Sequence, residues 1–171
     1  MQSLNIRESL ERAIRIYQER PQAGQRKTAP ATATLVEGLQ CQITGPHGEE
    51  VITDMSPELG GGGAGSHPGW LLRASIASCT ATAIAMRAAL LGIQLKTVEV
   101  TVESHSDIRR VLGMGDSIPG GMLSLRKHVK IGGEGATAVQ LRELVEWADA
   151  NCPVCCTMRH PPTPSLEIEV I

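Results

Sequence analysis

Residues 70–91, WLLRASIASCTATAIAMRAALL, decide the fold because they predict one long helix that is apolar almost all round. Pro68 suits the first turn of this helix, and Gly92 suits its end. A helix of this composition is typically buried on most sides, and its many Ala, Ser and Thr side chains allow a neighbouring helix to approach closely. The sequence therefore predicts a buried helix with Cys79 near its middle.

Alternating apolar and polar residues on both sides of that helix predict β-strands. Residues 31–43 and 49–54 form one predicted hairpin, joined by a Gly-Pro-His-Gly turn. Residues 97–103 and 122–131 form a second pair, in which an acidic outer face can meet a basic one. The other predicted elements are a helix from Ser3, its cap, to about Arg20, a helix from about Thr137 to Asn151 with a Thr137–Gln140 capping box, a short helix from Pro153, and a final strand at 166–170.

The predicted elements follow the order α-β-β-α-β-β-α-β, without internal repeats and without βαβαβ alternation. This order is typical of the α+β class with antiparallel or mixed sheets. A chain of 171 residues fits one domain, in which residues 1–30 form an N-terminal helical extension and a polar linker.

Composition and charge exclude several classes of partner. The three aromatic residues and the absence of Phe leave no platform for stacking bases, so a nucleic-acid partner is not expected. A formal charge of −2 gives no general attraction to an anionic membrane. The charge-free run at 74–86 is too short to span a membrane, and residues 1–20 carry charges throughout, unlike a signal peptide. We therefore expect a cytoplasmic protein.

Cysteines are the side chains best suited to chemistry, and their odd number, five, argues against a secreted disulfide framework. Cys41 lies on the apolar face of a predicted strand and is expected in the core. Cys79 lies in the buried helix, where a cysteine usually behaves as a small hydrophobe and reacts only if a cation stabilises its thiolate. Cys152 precedes Pro153 at a predicted helix start, where free N–H groups favour an anion.

The motif Cys152-Pro-Val-Cys155 is a C-x-x-C, which the residues alone leave open between two chemistries. One is a redox pair, although this motif follows a predicted helix rather than a strand. The other is a zinc site completed by Cys156 and His160, although adjacent cysteines are poor partners on one tetrahedral ion. Neither a metal nor a cofactor is expected from the sequence.

A glycine cluster at residues 60–65 formally matches G-x-G-x-x-G before a helix. Any glycine run satisfies such a pattern, and the dinucleotide fingerprint needs a βαβ unit that the predicted order does not contain. We interpret the cluster as a flexible crossover into the helix.

Two motifs together carry a resemblance to a known family: P-x-x-L-L-x-A-x-x-A-x-C, which ends at Cys79, and the distant Cys-Pro-Val that begins at Cys152. Over about residues 31–171 the chain resembles the OsmC/Ohr family. The resemblance implies an intertwined homodimer, with two β-sheets wrapped around central helices and active sites at the subunit interface. It also implies that Cys79 attacks an organic hydroperoxide and that Cys152 resolves the resulting sulfenic acid as a disulfide, which an external dithiol reduces.

Gly69 departs from the family pattern, since the peroxidase branches carry a Glu ten residues before the first cysteine. That Glu orients an Arg, which activates the thiolate; in this chain Arg73, Arg109 or Arg110 are the candidate substitutes. The resemblance thus implies a two-cysteine peroxidase acting on organic hydroperoxides or hydrogen peroxide. The alternative is an OsmC-like protein that binds a small apolar ligand with little or no turnover.

Overall fold

Five β-strands and four α-helices are described over residues 5–171 in a computed structural model of the chain. The strands form a three-stranded and a two-stranded antiparallel sheet, which confirms the predicted α+β class. Contacts divide the chain within its long helix, into a unit that ends at Ala74 and a unit that covers Ser75–Ile171. In chain order the elements are α1 (Ile6–Glu19), β1 (Thr32–Glu37), β2 (Gln40–Thr44), β3 (Glu50–Thr53), α2 (Pro68–Leu91), β4 (Gln94–Ser106), β5 (Met122–Glu134), α3 (Ala138–Asn151) and α4 (Pro153–Arg159).

Helix α1 confirms the predicted N-terminal helix. Its N-cap is Asn5, whose side-chain oxygen accepts a hydrogen bond of 3.2 Å from the backbone N–H of Glu8. The predicted cap, Ser3, lies outside the described residues. None of the residues of α1 is buried, so this helix adds no core to the first unit.

The first sheet, in the order β1-β2-β3, corrects one prediction. Residues 31–43 are two strands rather than one, because the chain turns back after Glu37 and pairs Leu35 with Cys41. Gly38 allows this turn, since its φ of 54° lies in the left-handed region that favours glycine. The second hairpin, between β2 and β3, forms as predicted.

Asp54 holds the glycine cluster that precedes α2. Its carboxylate accepts hydrogen bonds from the backbone N–H groups of Met55 at 2.7 Å and of Gly62 and Ala64 at 3.0 Å each. At Gly61 an added Cβ would collide with the carbonyl oxygen of Met55, so this approach requires glycine. The cluster leads into α2 as predicted, but it is a hydrogen-bonded loop rather than a flexible crossover.

Helix α2 begins at Pro68 and ends before Gly92, whose φ is 71°, as predicted. The prediction that α2 is buried on most sides is wrong for the single chain, because its buried residues form one stripe at four-residue spacing. By length and composition alone α2 is long and apolar enough to cross a membrane. Core helices of soluble proteins meet the same two criteria. The stripe consists of Ile76, Thr80, Ile84 and Ala88.

Strands β4 and β5 and helix α3 complete the core of the second unit. The register pairs Glu99 with Lys130 and Glu103 with Arg126, which confirms the predicted meeting of an acidic and a basic face. Helix α3 carries the predicted Thr137–Gln140 capping box. The core cluster joins α2 to α3 through Ile84, Ala88, Leu144 and Ala148.

The predicted final strand at 166–170 is wrong, since residues 160–171 form no regular element. Leu166, Ile168 and Val170 are 84%, 76% and 88% exposed. An alternating sequence becomes a strand only when a neighbouring strand takes its backbone hydrogen bonds, and the described part of this chain offers none there.

Candidate thiol site

Cys152 lies at the junction of α3 and α4, where it is both the C-cap of one helix and the N-cap of the other. Pro153, which has no N–H to satisfy, opens α4 as predicted. The Cys152 side chain is fully buried, and its Sγ accepts a hydrogen bond of 3.5 Å from the backbone N–H of Cys155. The sulfur therefore lies over the first turn of α4, next to the second cysteine of the C-x-x-C motif.

Thr80, a buried residue of α2, connects that junction to the central helix. Its hydroxyl lies 3.9 Å from the Sγ of Cys152 and 3.6 Å from the Sγ of Cys155. One hydroxyl thus lies within hydrogen-bonding distance of two buried thiols that are distant from it in sequence.

Cys79 immediately precedes Thr80 on α2 and is half-buried. Successive residues of an α-helix are rotated by about 100° around its axis, so Cys79 and Thr80 project in different directions from the same turn. The fold brings Cys152 to the turn that bears Cys79, and Thr80 supplies the contact. All five cysteines are free.

Lys127 of β5 is a functional candidate that the sequence interpretation missed. Its ammonium donates a hydrogen bond of 3.3 Å to the Sγ of Cys155 and forms an ion pair with Asp149. The same carboxylate pairs with Arg159, which also donates a hydrogen bond of 3.0 Å to the Asp149 carbonyl oxygen. The signal was present in the strand pattern, because Lys127 has the same parity as Leu125 and Val129, positions expected to face inward.

A small cavity of about 110 Å³ opens beside Cys155. Apolar side chains form part of its wall, and the remainder brings together one thiol and two cationic side chains. Such a lining suits a small, mainly apolar molecule whose polar end approaches the sulfur. The lining residues are Ile76, Leu125, Lys127, Cys155, Met158 and Arg159.

The loop arginines considered as activators of Cys79 pair within their own loop. Arg109 binds Asp107 through its side chain and backbone, and the pair lowers the pKa of Asp107 to about 2. Arg110 forms an ion pair with Asp116. At the junction, Lys127 contacts the Cys155 thiol instead, and Arg159 lines the same cavity as Cys155.

The third predicted candidate, Arg73, lies with Gly69 in the first unit, near the start of α2. An Nη atom of Arg73 lies 3.3 Å from the Nε2 atom of His67. A Cβ at position 69 would lie 3.1 Å from the His67 ring, so a larger residue there would displace this imidazole.

The two remaining cysteines lie in other surroundings. Cys156 donates a hydrogen bond of 3.2 Å to the carbonyl oxygen of Ala150, and Cys41 lies half-buried in β2. Across residues 5–171 no three His, Cys, Asp or Glu side chains form a group that could hold a metal ion. The zinc alternative at Cys152, Cys155, Cys156 and His160 therefore has no support from the geometry.

Several solved structures share the fold of this chain. An OsmC-like protein from Mycoplasma pneumoniae superposes with a TM-score of 0.68 at 16% identity, covering 80% of this chain and 91% of that one. An organic hydroperoxide resistance protein from Legionella pneumophila gives 0.59 at 24% identity, covering 80% and 92%. The organic hydroperoxide resistance protein OhrB of Bacillus subtilis gives 0.53 at 22% identity, covering 79% and 93%.

The sequence comparison adds family membership to this similarity of fold. None of the curated proteins compared with the chain matches it. A family model described as OsmC-like protein matches residues 60–167, a segment that contains both Cys79 and Cys152. Since that match spans more than half of the sequence, the chain belongs to the OsmC-like protein family.

Proposed function

We propose that this protein is a thiol-dependent peroxidase that reduces organic hydroperoxides or hydrogen peroxide through Cys79 and Cys152. The observation that carries the proposal is the contact of buried Cys152 with Thr80, the residue next to Cys79 on α2. A sulfenic acid formed at Cys79 needs a second thiol nearby to trap it before further oxidation. Cys152 is the motif cysteine that this contact brings to the same turn of helix.

The reaction consists of two substitutions at sulfur. The Cys79 thiolate attacks the terminal peroxide oxygen, the O–O bond breaks, and Cys79 becomes a sulfenic acid. The leaving alkoxide takes up the proton that the Cys79 thiol released and departs as the alcohol. The Cys152 thiol then attacks that sulfur, water leaves, and a Cys79–Cys152 disulfide forms. An external dithiol donates two electrons and two protons to restore both thiols.

The names of two structural relatives support a peroxidase activity. The proteins from Legionella pneumophila and Bacillus subtilis are named organic hydroperoxide resistance proteins. We carry that activity to this chain as part of the proposal, because identities of 24% and 22% establish the fold alone.

A homodimer in the cytoplasm, without nucleic-acid or membrane partners, completes the proposal. Outside its buried stripe, α2 exposes large apolar side chains in the single chain, among them Met86 and Leu91 at 42% and 52%. A second copy that covers them would bury both α2 helices, as the sequence pattern predicts. Sedimentation equilibrium should give twice the chain mass of 18.2 kDa, and a monomer at micromolar concentration would contradict this part.

The direct test is reduction of cumene hydroperoxide in the presence of dithiothreitol, followed by stopped flow. Cys79→Ser should lower the rate at least ~100-fold, because the nucleophile is lost. Cys41→Ser is the matched control, a half-buried cysteine outside the site, and should retain the wild-type rate. Wild-type protein that is no faster than Cys79→Ser would refute the peroxidase.

A binding protein without turnover is the second candidate, and Gly69 favours it because the family's activating Glu is absent there. The cavity beside Cys155 would then hold a small apolar ligand. The rate of Cys79 alkylation by iodoacetamide separates the candidates. Appreciable alkylation below pH 7 supports catalysis, whereas alkylation that begins only near the free-thiol range of about pH 8.5 supports binding.

A further inference from the structure

We propose that Cys152 and Cys155 form a second redox pair, which receives the disulfide from Cys79 by thiol–disulfide exchange. This inference rests on the proposed function for its first step. It assigns a role to Cys155, a buried thiol that the two-cysteine mechanism does not use.

The geometry at the start of α4 places the two sulfurs together. The backbone N–H of Cys155 donates to the Sγ of Cys152 at 3.5 Å, and the Thr80 hydroxyl lies 3.9 and 3.6 Å from the two sulfurs. Residues three apart on a helical turn have Cβ atoms about 5–6 Å apart, whereas a disulfide needs about 3.5–4.5 Å. Closing the bond therefore also requires a shift of the backbone at Cys152, the extended N-cap of α4. Cys152 and Cys155 are 0% and 5% exposed, so the pair lies out of bulk solvent.

Lys127 makes Cys155 the attacking thiol of the pair. Its ammonium lies 3.3 Å from the Cys155 sulfur, and an adjacent ammonium stabilises the thiolate, which is the nucleophile in exchange. The ion pairs at this point join one carboxylate, Asp149, to two cations, Lys127 and Arg159. A Cys155 thiolate would balance the second positive charge.

The exchange balances as a single substitution. The Cys155 thiolate attacks the Cys152 sulfur of the Cys79–Cys152 disulfide, a Cys152–Cys155 bond forms, and the Cys79–Cys152 bond breaks. Cys79 leaves as a thiolate and takes up the proton that Cys155 released. No electron enters or leaves the protein in this step.

The relay has two consequences for the cycle. Cys79 returns to the free thiol before any reductant arrives, and a second sulfenic acid is resolved only after Cys152 has been reduced. The external dithiol then donates two electrons and two protons to the Cys152–Cys155 bond, which it reaches through the cavity beside Cys155 and Met158.

The experiment maps disulfides after one equivalent of cumene hydroperoxide, with acid quench, N-ethylmaleimide blocking and peptide mass spectrometry. Wild type should accumulate the Cys152–Cys155 bond with Cys79 free, whereas Cys155→Ser should stop at Cys79–Cys152. Cys156→Ser is the matched control, because the Cys156 thiol hydrogen-bonds to the Ala150 carbonyl oxygen. This variant should behave as wild type. Wild type that stops at Cys79–Cys152 would overturn the relay.

A second arm separates this inference from the proposed function, because it needs no peroxide. Cys79→Ser oxidised with diamide should form the Cys152–Cys155 disulfide. If all five thiols of the wild type stay reduced after peroxide treatment, the proposed function fails. The diamide experiment alone then shows whether Cys152 and Cys155 form a redox pair. Free thiols, or a Cys152–Cys156 bond, after diamide oxidation of Cys79→Ser would overturn the proposed Cys152–Cys155 pair.

Lys127 provides a test that a merely structural role would not pass. Lys127→Gln should slow the appearance of the Cys152–Cys155 bond roughly tenfold, and Lys127→Arg should restore it. Asp149 keeps its ion pair with Arg159 in both variants, and circular dichroism checks their folding. Equal rates in Lys127→Gln and wild type would show that the ammonium does not assist the exchange.

Discussion

The first unit and the second unit each bury a polar centre, and the two centres are satisfied in opposite ways. Asp54, 3% exposed, receives three backbone N–H groups of its own loop. Cys152 and Cys155 share one hydroxyl, Cys155 also receives one ammonium, and sulfur is a weak acceptor. A carboxylate saturated by backbone donors organises structure, whereas thiols with weak partners and a nearby cation keep their reactivity.

The largest expected effect comes from Cys152→Ser. Steady-state reduction of cumene hydroperoxide should fall at least ~100-fold, while the first oxidation of Cys79 survives, because the resolving thiol acts only after it. Rapid-quench kinetics with one equivalent of peroxide separates the two steps. Loss of both steps would place Cys152 in the first one and break the distinction between the two thiols.

Asp54→Asn should have the opposite profile, with a clear loss of stability and no effect on the first oxidation of Cys79 in folded protein. The amide replaces one accepting oxygen by an NH₂ group that faces backbone donors. Thermal melting measures the effect against Asp116→Asn, whose carboxylate is fully exposed. Equal melting temperatures in the two variants would contradict a structural role for Asp54.

Acid should weaken the stabilisation that carboxylates gain from their hydrogen-bond donors. Asp107, whose pKa falls from 3.8 to about 2 beside Arg109, contributes stability that is complete above about pH 4 and is lost as the pH falls towards 2. The backbone N–H of Ala64, opposed by burial and aided by Met55 and Gly62, lowers the pKa of Asp54 in the same direction.

Urea unfolding between pH 6 and pH 2.5 tests this dependence. Asp107→Asn should lower stability at pH 6 and converge with wild type as the pH approaches 2, because the variant has no charge to lose. A difference between the two proteins that stays constant over the whole range would contradict the assigned pairing with Arg109.

Thr80→Val should have the smallest effect on stability, about 1 kcal/mol or less, because the lost hydrogen bonds are to sulfur. The same change should slow alkylation of Cys155 severalfold, since the hydroxyl no longer assists its thiolate. Thr82→Val, an exposed change two residues along α2, is the control for both measurements. A large loss of stability without a change in alkylation would make Thr80 a packing residue only.

Local signals were sufficient for most elements of the fold. Pro68, Gly92 and the Thr137–Gln140 box mark helix ends through their own backbone chemistry, so the sequence predicts them well. The turn at Gly38 was missed because the alternation of residues 31–43 continues on one face through it. The strand at 166–170 was wrong because its formation depends on a partner strand, which a sequence pattern cannot supply.

The candidate site was predictable in part. The motif cysteines, Cys79 and Cys152, follow from the resemblance to the family, whereas Lys127 and Thr80 become candidates only when β5 and α2 are packed against α4. A cation among inward-facing positions of β5 was the available signal. Which cation meets which thiol depends on contacts between residues distant in sequence, so only the fold assigns it.

The most direct test of the central claim is to trap the sulfenic acid on Cys79. Cys152→Ser/Cys155→Ser protein, which lacks both thiols of the proposed resolving pair, is treated with one equivalent of cumene hydroperoxide and dimedone. Peptide mass spectrometry should then find one dimedone adduct per chain, on Cys79. No adduct, or adducts spread over Cys41 and Cys156 as well, would contradict the assignment of Cys79 as the peroxide-reactive thiol.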